Sequence, residues 1–345
     1  MTGRAAAIQG GLAAVGLLAA SLTWQREPEH APGAATVIEA SKADITNVHY
    51  ADNTTTVDFS RGHADDQSAV WIHLVTAENP PMRPPGQKDA KPPAPPPPPR
   101  DLLGSEQAAK VLDQFAPLVS PRAFGVLDAA KLKELGLEAP TRKLEITVKG
   151  DVRRYEIGQP DKAPGGESFL RDTRDNRVYL MPRGMLSDLQ NPNHLVDRRL
   201  HAFEQGDFDR MVLSAGGKQK AYVQTDREAR AKAAFAPAKT PDKHDQMAKN
   251  WHDAVWRVFP SDILGRGEDP AGGKPAVVLR VDYYDGKNSI GFMELARQEA
   301  AGSVSEDSES ANGEIYARTE HTAGWLKLHN GAQLLADAQK LLAAP

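Results

Sequence analysis

Short runs of alternating apolar and polar side chains recur along this chain, and turn-forming residues separate them. Apolar positions recur between residues 45 and 50 and again between 55 and 59, on either side of Asp52 and Asn53. Alternation around Asp and Asn predicts a β-hairpin, because successive side chains along a strand point to opposite faces. A further strand is predicted at residues 71–75.

Four other stretches carry apolar side chains at helical spacing. These predicted helices cover residues 105–115, 128–135, 247–258 and 334–342. In the first, Ala108, Val111 and Leu112 share one face. The second ends at Gly136, which suits a left-handed cap, and Pro140 blocks its continuation.

The order of these predicted elements occurs twice. In each half a hairpin is followed by an insertion, a helix and two pairs of strands. The strand pairs are predicted at residues 144–157, 168–180, 276–294 and 314–328. The pattern therefore predicts an α+β fold, in which a duplicated unit of antiparallel β-sheet packed with helices is preceded by one transmembrane helix. We expect the first unit at residues 36–204 and the second at 205–343.

An uncharged stretch near the amino terminus suggests a membrane segment. Residues 5–24 carry no charge, and a helix of that length spans about 30 Å, the thickness of a bilayer core. We expect an anchor or signal segment at residues 1–26, a tether at 27–35, and a body on the periplasmic side of the bacterial inner membrane. A cleaved signal peptide is the alternative to an uncleaved anchor, because residues 19–21 are small.

Small side chains recur every four residues within that stretch. Ala6, Gly10 and Ala14 would share one face of the helix and would let another transmembrane helix approach closely. We therefore predict a possible helix–helix contact at these three residues. Chance spacing in an Ala-rich segment is the alternative explanation.

A proline-rich tract interrupts the first predicted unit. Residues 80–99 contain eleven prolines, five of them consecutive at the end, and such a composition favours polyproline II or disorder rather than a packed core. Since the elements on both sides belong to the first unit, the tract is predicted to be a loop that projects from it. Three roles stay open: a solvated loop, a ligand for a proline-recognising partner, or a spacer.

Composition and missing motifs exclude several classes of function. The net charge is −4 and there is no cysteine, which argues against a nucleic-acid partner, disulfides and thiolate metal sites. The chain has no His-Glu-x-x-His, Gly-x-Ser-x-Gly or phosphate-binding-loop motif. No catalytic, metal-ligating or cofactor-binding residue and no cofactor is therefore predicted.

Isolated candidates for chemistry have plainer interpretations. His244 and His252 are eight residues apart, too far for joint chelation, and both are predicted to be surface histidines. Asp207 and Asp209 are expected to cap a turn. Trp325 could line a glycan-binding groove, as could Tyr179 on another strand, although aromatic strand residues more often lie in the core.

Several segments resemble a bacterial domain of unknown function. They include the Gly136-Leu-x-x-Pro140 turn and the strand end Ile157-Gly158, and they cover residues 43–50, 130–140, 155–158, 178–180 and 195–200. The resemblance implies a single-pass envelope protein, often encoded beside gliding-motility-type ABC transporter genes. It implies no catalytic residues, and the proline insertion departs from the usual pattern.

These observations lead to three hypotheses about function. The first is a non-enzymatic, membrane-anchored accessory or scaffold subunit of an envelope assembly, with an ABC transporter permease as a possible protein partner. The second is a module that binds glycan or peptidoglycan. The third is an envelope hydrolase that uses carboxylates, which would need a cleft where two of them face each other.

Overall fold

A computed structural model describes residues 33–64, 67–76, 98–160, 167–227, 233–298 and 313–344. Strands hold 45% of these residues and helices 19%, in three sheets. The prediction of an α+β fold is therefore wrong, and the fold is mostly β. The sequence underestimated the strand content because several edge strands are only three to five residues long, and such short strands carry too little alternation to be recognised.

The expected transmembrane helix is not part of the described fold. The predicted anchor at residues 1–26 and most of the tether at 27–35 lie outside the described residues. Among the helices that the structure does describe, none is both long and apolar enough to cross a bilayer. The predicted architecture is corrected on this point as well.

The elements have the following bounds. The strands are β1 (Ala35–Ile38), β2 (Ile45–Ala51), β3 (Thr55–Ala64), β4 (Gln67–Thr76), β5 (Arg100–Gly104), β6 (Leu118–Ser120), β7 (Ala123–Val126), β8 (Arg142–Val148), β9 (Asp151–Gly158), β10 (Phe169–Asp172), β11 (Arg177–Leu180), β12 (Arg210–Ala215), β13 (Lys218–Thr225), β14 (Ala234–Pro237), β15 (Pro260–Ile263), β16 (Ala276–Asp285), β17 (Asn288–Gln298), β18 (Glu314–Thr319) and β19 (Leu326–Leu328). The helices are α1 (Glu106–Asp113), α2 (Ala129–Glu134), α3 (Met185–Gln190), α4 (Gln246–Trp256) and α5 (Gly331–Ala343), with 3-10 turns at Lys42–Asp44 and Pro192–Leu195.

The two large sheets share one strand order. The first runs β5-β4-β3-β2-β8-β9-β10-β11-β7, and the second runs β14-β13-β12-β16-β17-β18-β19-β15. The edge strand β5 has no counterpart in the second sheet. Without it each sheet has eight strands, and in both sheets the chain visits the eight positions in the same order. β1 and β6 form a separate two-stranded sheet. A division into two units at residues 204 and 205 stays a prediction.

Each large sheet has its own apolar core. In the first, Tyr50 and Phe59 of the central hairpin pack in one buried cluster with Leu112 of α1. In the second, the sheet packs against both α4 and α5. The indole nitrogen Nε1 of Trp251 donates a hydrogen bond to the carbonyl of Leu334 at 2.9 Å, which ties these two helices together.

The edge strand β5 connects the two sheets. Arg100 donates to the carboxylate of Asp262 in β15 at 2.8 Å. One residue further on, the carbonyl of Asp101 accepts the backbone N–H of Arg266 at 2.8 Å. The guanidinium of Arg266 lies 4.1 Å from the ring centroid of Trp71, a cation–π contact. The sheets therefore meet along their β5 and β15 edges.

Candidate functional site

A cleft of about 590 Å³ lies where the two sheets meet. Its walls come from β3, β4, β5 and α1 on one side and from β17 and the turn after β18 on the other. The connecting segment 197–202 runs between them. Asp197, Glu320 and His321 supply the charged and titratable groups deepest in this wall. Because three carboxylates line one cleft, those of Asp197, Glu320 and the exposed Glu106, the cleft is the natural place to look for hydrolytic chemistry.

Asp197 is fully engaged by its neighbours. Its side chain is 5% exposed and accepts hydrogen bonds from Nε2 of His321 at 3.0 Å and from the guanidinium of Arg199 at 2.7 Å. Burial alone would raise the pKa of this carboxyl, but the hydrogen bonds from His321 and Arg199 outweigh it and hold the pKa far below its usual value. Asp197 is therefore a fixed anion that joins the connecting segment to the second sheet.

Glu320 is held in a similar way. One carboxylate oxygen accepts the backbone N–H of Ala202 at 3.1 Å, and the other accepts that of Phe292 at 3.0 Å. Nδ1 of the buried His201 lies 3.1 Å from both oxygens. Burial raises the pKa of Glu320, yet the hydrogen bonds from His201 and the backbone of Phe292 lower it overall.

Neither carboxyl group suits general acid catalysis. A glycosidase-type acid must keep its proton near neutral pH, which requires a raised pKa. The pKa values of Asp197 and Glu320 are both lowered, and these two groups already bind protein partners. Within the residues covered by the structure, no cluster of three or more His, Asp or Glu side chains could hold a metal ion. Since the backbone N–H of Asp197 also donates to the carbonyl of Leu103 in β5 at 2.8 Å, the arrangement fastens the two sheets together through the connecting segment.

His252 is not at the surface, and that prediction is wrong. It is completely buried on α4, and its ring centroid lies 4.7 Å from those of Trp256 and Phe235. Gln205 Nε2 lies 3.3 Å from its Nδ1. Burial lowers the pKa of His252 to about 3, so the ring is neutral at neutral pH. The sequence pattern correctly predicted that His252 lies on a helix. Only the packing of α4 against the sheet shows that its side chain is on the buried face.

An apolar groove of about 940 Å³ runs between α4 and the amino-terminal half of α5. We refer to it as the α4–α5 groove. Successive turns of α4 present Met247, Trp251 and Ala254 to it. From α5 and the preceding turn come Asn330, Gln333, Leu334 and Asp337. This spacing of three and four residues places one face of each helix along the groove.

The mouth of the groove exposes aromatic surface. Phe259, which follows α4, is 68% exposed, and Met247 is 36% exposed. The guanidinium of Arg198 lies 5.3 Å from the Phe259 ring centroid. Exposed amide side chains from both helices lie at the rim, where Gln333 Nε2 donates to Asp337 at 2.8 Å and Asn250 Oδ1 accepts from Gln246 at 2.8 Å. An apolar floor with a few polar groups is the composition of a binding pocket.

The other predicted residues have structural roles or fall outside the described chain. Ala6, Gly10 and Ala14 lie outside the described residues. Asp207 and Asp209 accept backbone N–H groups from Glu204 and Gly286, which confirms their turn role.

Trp325 and Tyr179 are buried in the cores, as aromatic strand residues usually are.

Sequence reasoning missed the residues of both cavities. Asp197 lies in the segment 195–200 that carries the family resemblance, and Glu320 follows a predicted strand, so each was visible without any sign that the two meet. The sequence contained one weak indication of Phe259: it is a large apolar residue directly before Pro260 and lies outside the helical pattern of α4. A search for apolar residues next to element ends would have found it.

Comparison with known proteins gives one family match. Residues 109–254 contain a domain of unknown function, DUF4340. The match begins within α1 and ends within α4, so it includes strands of both large sheets. No curated protein and no solved structure is significantly similar to the chain.

Proposed function

We propose that this protein is a non-enzymatic binding module that acts as an accessory or scaffold subunit of a bacterial envelope assembly, on the periplasmic side of the inner membrane. The α4–α5 groove is its binding surface. A polypeptide segment of a partner protein docks there. An ABC transporter permease is the partner class that the family resemblance suggests.

The exposure of Phe259 at the mouth of an apolar groove carries this proposal. Large aromatic side chains are usually buried, and contiguous exposed apolar surface on a soluble domain marks interaction sites. Aromatic residues also dominate the energetics of protein interfaces. The groove combines both features, whereas the buried carboxylates of the cleft, those of Asp197 and Glu320, already have protein partners.

The two alternative functions find less support. The glycan-binding hypothesis depended on Trp325 and Tyr179 as the rings that line a groove, and both are packed in the cores. A carboxylate-dependent hydrolase needs one carboxyl with a raised pKa, but the pKa values of Asp197 and Glu320 are both lowered.

Affinity capture from solubilised membranes tests the proposal. The full chain is used as bait beside Phe259→Ala and a matched control, Val126→Ala, which removes an equally exposed apolar side chain from the edge strand β7 of the other sheet. We expect Phe259→Ala to reduce capture of the partner by tenfold or more, in the manner of an interface hot spot of about 2 kcal/mol. Val126→Ala should leave capture unchanged.

The identity of the captured material separates the hypotheses. Permease subunits lost with Phe259→Ala support the proposal. Bound glycan would favour the second hypothesis. Equal capture by both variants would contradict a role for the groove. Thermal melting serves as the folding control, because substitution of an exposed side chain should shift stability by no more than about 0.5 kcal/mol.

A further inference from the structure

We infer that the α4–α5 groove accepts an extended segment of the partner, which takes on the second sheet the place that strand β6 takes on the first. The segment carries an apolar anchor and an acidic side chain beside it. The inference rests on the proposed function, since it concerns the same groove, and it adds the conformation and the chemistry of the partner segment.

The two large sheets supply a comparison within one chain. Because the chain visits both sheets in the same strand order, β7 corresponds to β15 and β11 corresponds to β19. Helix α1 precedes β7 as α4 precedes β15, and α3 follows β11 as α5 follows β19. The walls of the α4–α5 groove therefore correspond to the surroundings of α1 and α3 on the first sheet.

On the first sheet, β6 fills this place and β1 pairs with it in antiparallel orientation. Leu118 of β6 is fully buried and Ile38 of β1 is 5% exposed, and both belong to one apolar cluster with residues of α1 and α3. The hydroxyl of Ser120 in β6 donates to the carbonyl of Leu180, the last residue of β11, at 2.8 Å. The strand pair therefore covers the end of β11 beside the two helices.

The described connection between α4 and β15 contains no counterpart of β6. Residues 114–122 join α1 to β7 on the first sheet, whereas only residues 257–259 join α4 to β15 on the second. Leu328, the last residue of β19, corresponds to Leu180 and lines the groove. The groove is therefore the space that β6 fills on the first sheet, and Phe259 at its mouth stays 68% exposed.

The side chains of β6 define the shape of the ligand. Leu118 and Ser120 are two residues apart, so they lie on the same face of the strand, and both are fully buried. An extended segment in the α4–α5 groove presents alternate side chains in the same way, with an apolar anchor against Trp251 and Leu334 and a small residue next to it. Specificity then comes from the side chains on that one face.

Positive charge at the groove mouth selects the flank of the segment. The guanidinium of Arg198 lies 5.3 Å from the Phe259 ring centroid, and the exposed Arg257 lines the groove as well. Nε of Arg257 donates to the backbone carbonyl of Asp253, and neither guanidinium has a carboxylate partner within the part of the chain that the structure describes. An acidic side chain beside the apolar anchor therefore complements this mouth.

A synthetic peptide tests the inference. Its sequence, Asp-Phe-Ala-Pro-Leu-Val-Ser-Pro-Asp, copies residues 115–121 around β6 and adds an acidic residue at each end. Both termini are blocked, and fluorescence anisotropy of a label on the peptide measures binding to the full chain. The two prolines disfavour a helical bound form. We expect saturable binding that weakens about tenfold or more when the peptide leucine is replaced by serine, because the apolar anchor is lost.

Variants of the chain locate the bound peptide. Phe259→Ala should weaken binding about tenfold or more, whereas the matched control Val126→Ala should leave it unchanged. Arg257→Glu should weaken binding of the acidic peptide about threefold, as for a solvent-exposed ion pair, and should strengthen binding of a peptide with lysine at both ends. All three substitutions replace exposed side chains, and thermal melting confirms that the variants are folded.

Four results would overturn the inference. Absence of saturable binding up to about 1 mM would mean that the groove takes no extended segment. Equal binding to Phe259→Ala and to the parent chain would place the peptide elsewhere, and an unchanged preference for the acidic peptide in Arg257→Glu would contradict the acidic flank. Phosphatidylglycerol vesicles that bind in a Phe259-dependent manner, without peptide binding, would assign the groove to a lipid.

The inference and the proposed function fail separately. Partner capture that is lost with Phe259→Ala, combined with no peptide binding, would refute the inference and still support the proposed function. Conversely, peptide binding that depends on Phe259, combined with partner capture indifferent to it, would leave the groove as a site for extended segments and contradict the proposed function.

Discussion

Two glycines mark a place where the chain passes close to its own backbone. A Cβ atom built at Gly158, the last residue of β9, would lie 2.3 Å from the carbonyl oxygen of Leu135. Gly136 has a φ of +68° and packs against the backbone of Gln159. Both glycines belong to the segments that resemble the known family. Their spacing in sequence did not show that they share one contact, because that contact exists only after β9 packs beside the end of α2.

Gly158→Ala should lower the free energy of unfolding by about 3 kcal/mol, because the added methyl group meets backbone that no rotamer change can move away. Urea unfolding at neutral pH measures the loss. Gly150→Ala is the matched control, since Gly150 lies in the turn directly before β9 but has open space around it and a φ of +84°. The control should lose about 1 kcal/mol from the left-handed conformation alone. Equal losses would refute the close-contact explanation.

His252 should make stability depend on pH. Its pKa is lowered to about 3 by burial, whereas an unfolded histidine has a pKa of about 6.5. Between these values the unfolded chain binds more protons, so stability falls as the pH is lowered, by at most about 1.4 kcal/mol per pH unit. His252→Phe should flatten this dependence, and Gln205 keeps its bond to Asp253.

Unfolding curves between pH 4 and 7 test this prediction. His244→Phe, at an exposed site before α4, is the control and should keep the slope of the parent protein. A parent-like slope in His252→Phe would mean that the buried ring does not titrate with folding.

The predictability of each element depended on its length and position in the sheet. The long strands of the central hairpins and the helices α1, α4 and α5 follow clear periodic patterns and were predicted. The edge strands β14 and β15 were missed. β14 ends in Pro237 and β15 starts with Pro260; proline in a short apolar run argues against a central strand and is tolerated at an edge. Pairing with a neighbour, rather than local pattern, specifies such strands.

Trp251→Phe should weaken the pairing of α4 with α5. The substitution keeps an aromatic ring but removes the hydrogen bond from Nε1 to the carbonyl of Leu334, which should cost about 1 kcal/mol beyond the lost packing. Trp256→Phe, on the same helix, is the control because Trp256 contributes ring contacts to His201 and His252. Thermal melting of the two variants gives the comparison. A larger loss in Trp256→Phe would contradict this role of the indole N–H.

At the scale of the molecule, the two sheets repeat one strand order and a polar cluster fastens them. Asp197 and Glu320 are more than a hundred residues apart, and they line one cleft only because the β5 and β15 edges meet. The sequence predicted the recurrence of elements but not this meeting of edges, since no local pattern encodes it. The same holds for the α4–α5 groove, whose walls depend on how two helices pack on the second sheet.

Asp197→Asn should destabilise the junction between the sheets by about 3 kcal/mol, because His321 and Arg199 lose their buried anion. Since the folded pKa of Asp197 is lowered, its contribution is present above the ordinary carboxyl pKa and is lost as the pH falls towards the folded value. The deficit of the variant should therefore shrink in acid. Asp175→Asn, at an exposed ion pair with Arg177, should change stability by less than about 1 kcal/mol. Chemical denaturation at pH 7 and pH 3 measures the free energy of unfolding of both variants. Equal losses of stability in the two variants at both pH values would contradict the prediction.

Hydrogen exchange of the complex tests most directly whether the α4–α5 groove is the working surface. The full chain is compared alone and bound to its captured partner. We predict slower exchange in residues 247–256 of α4 and 331–337 of α5 on binding, with no change at the cleft. Slowed exchange confined to residues 196–202 and 319–321, with α4 and α5 unchanged, would place the partner in the cleft and contradict the account.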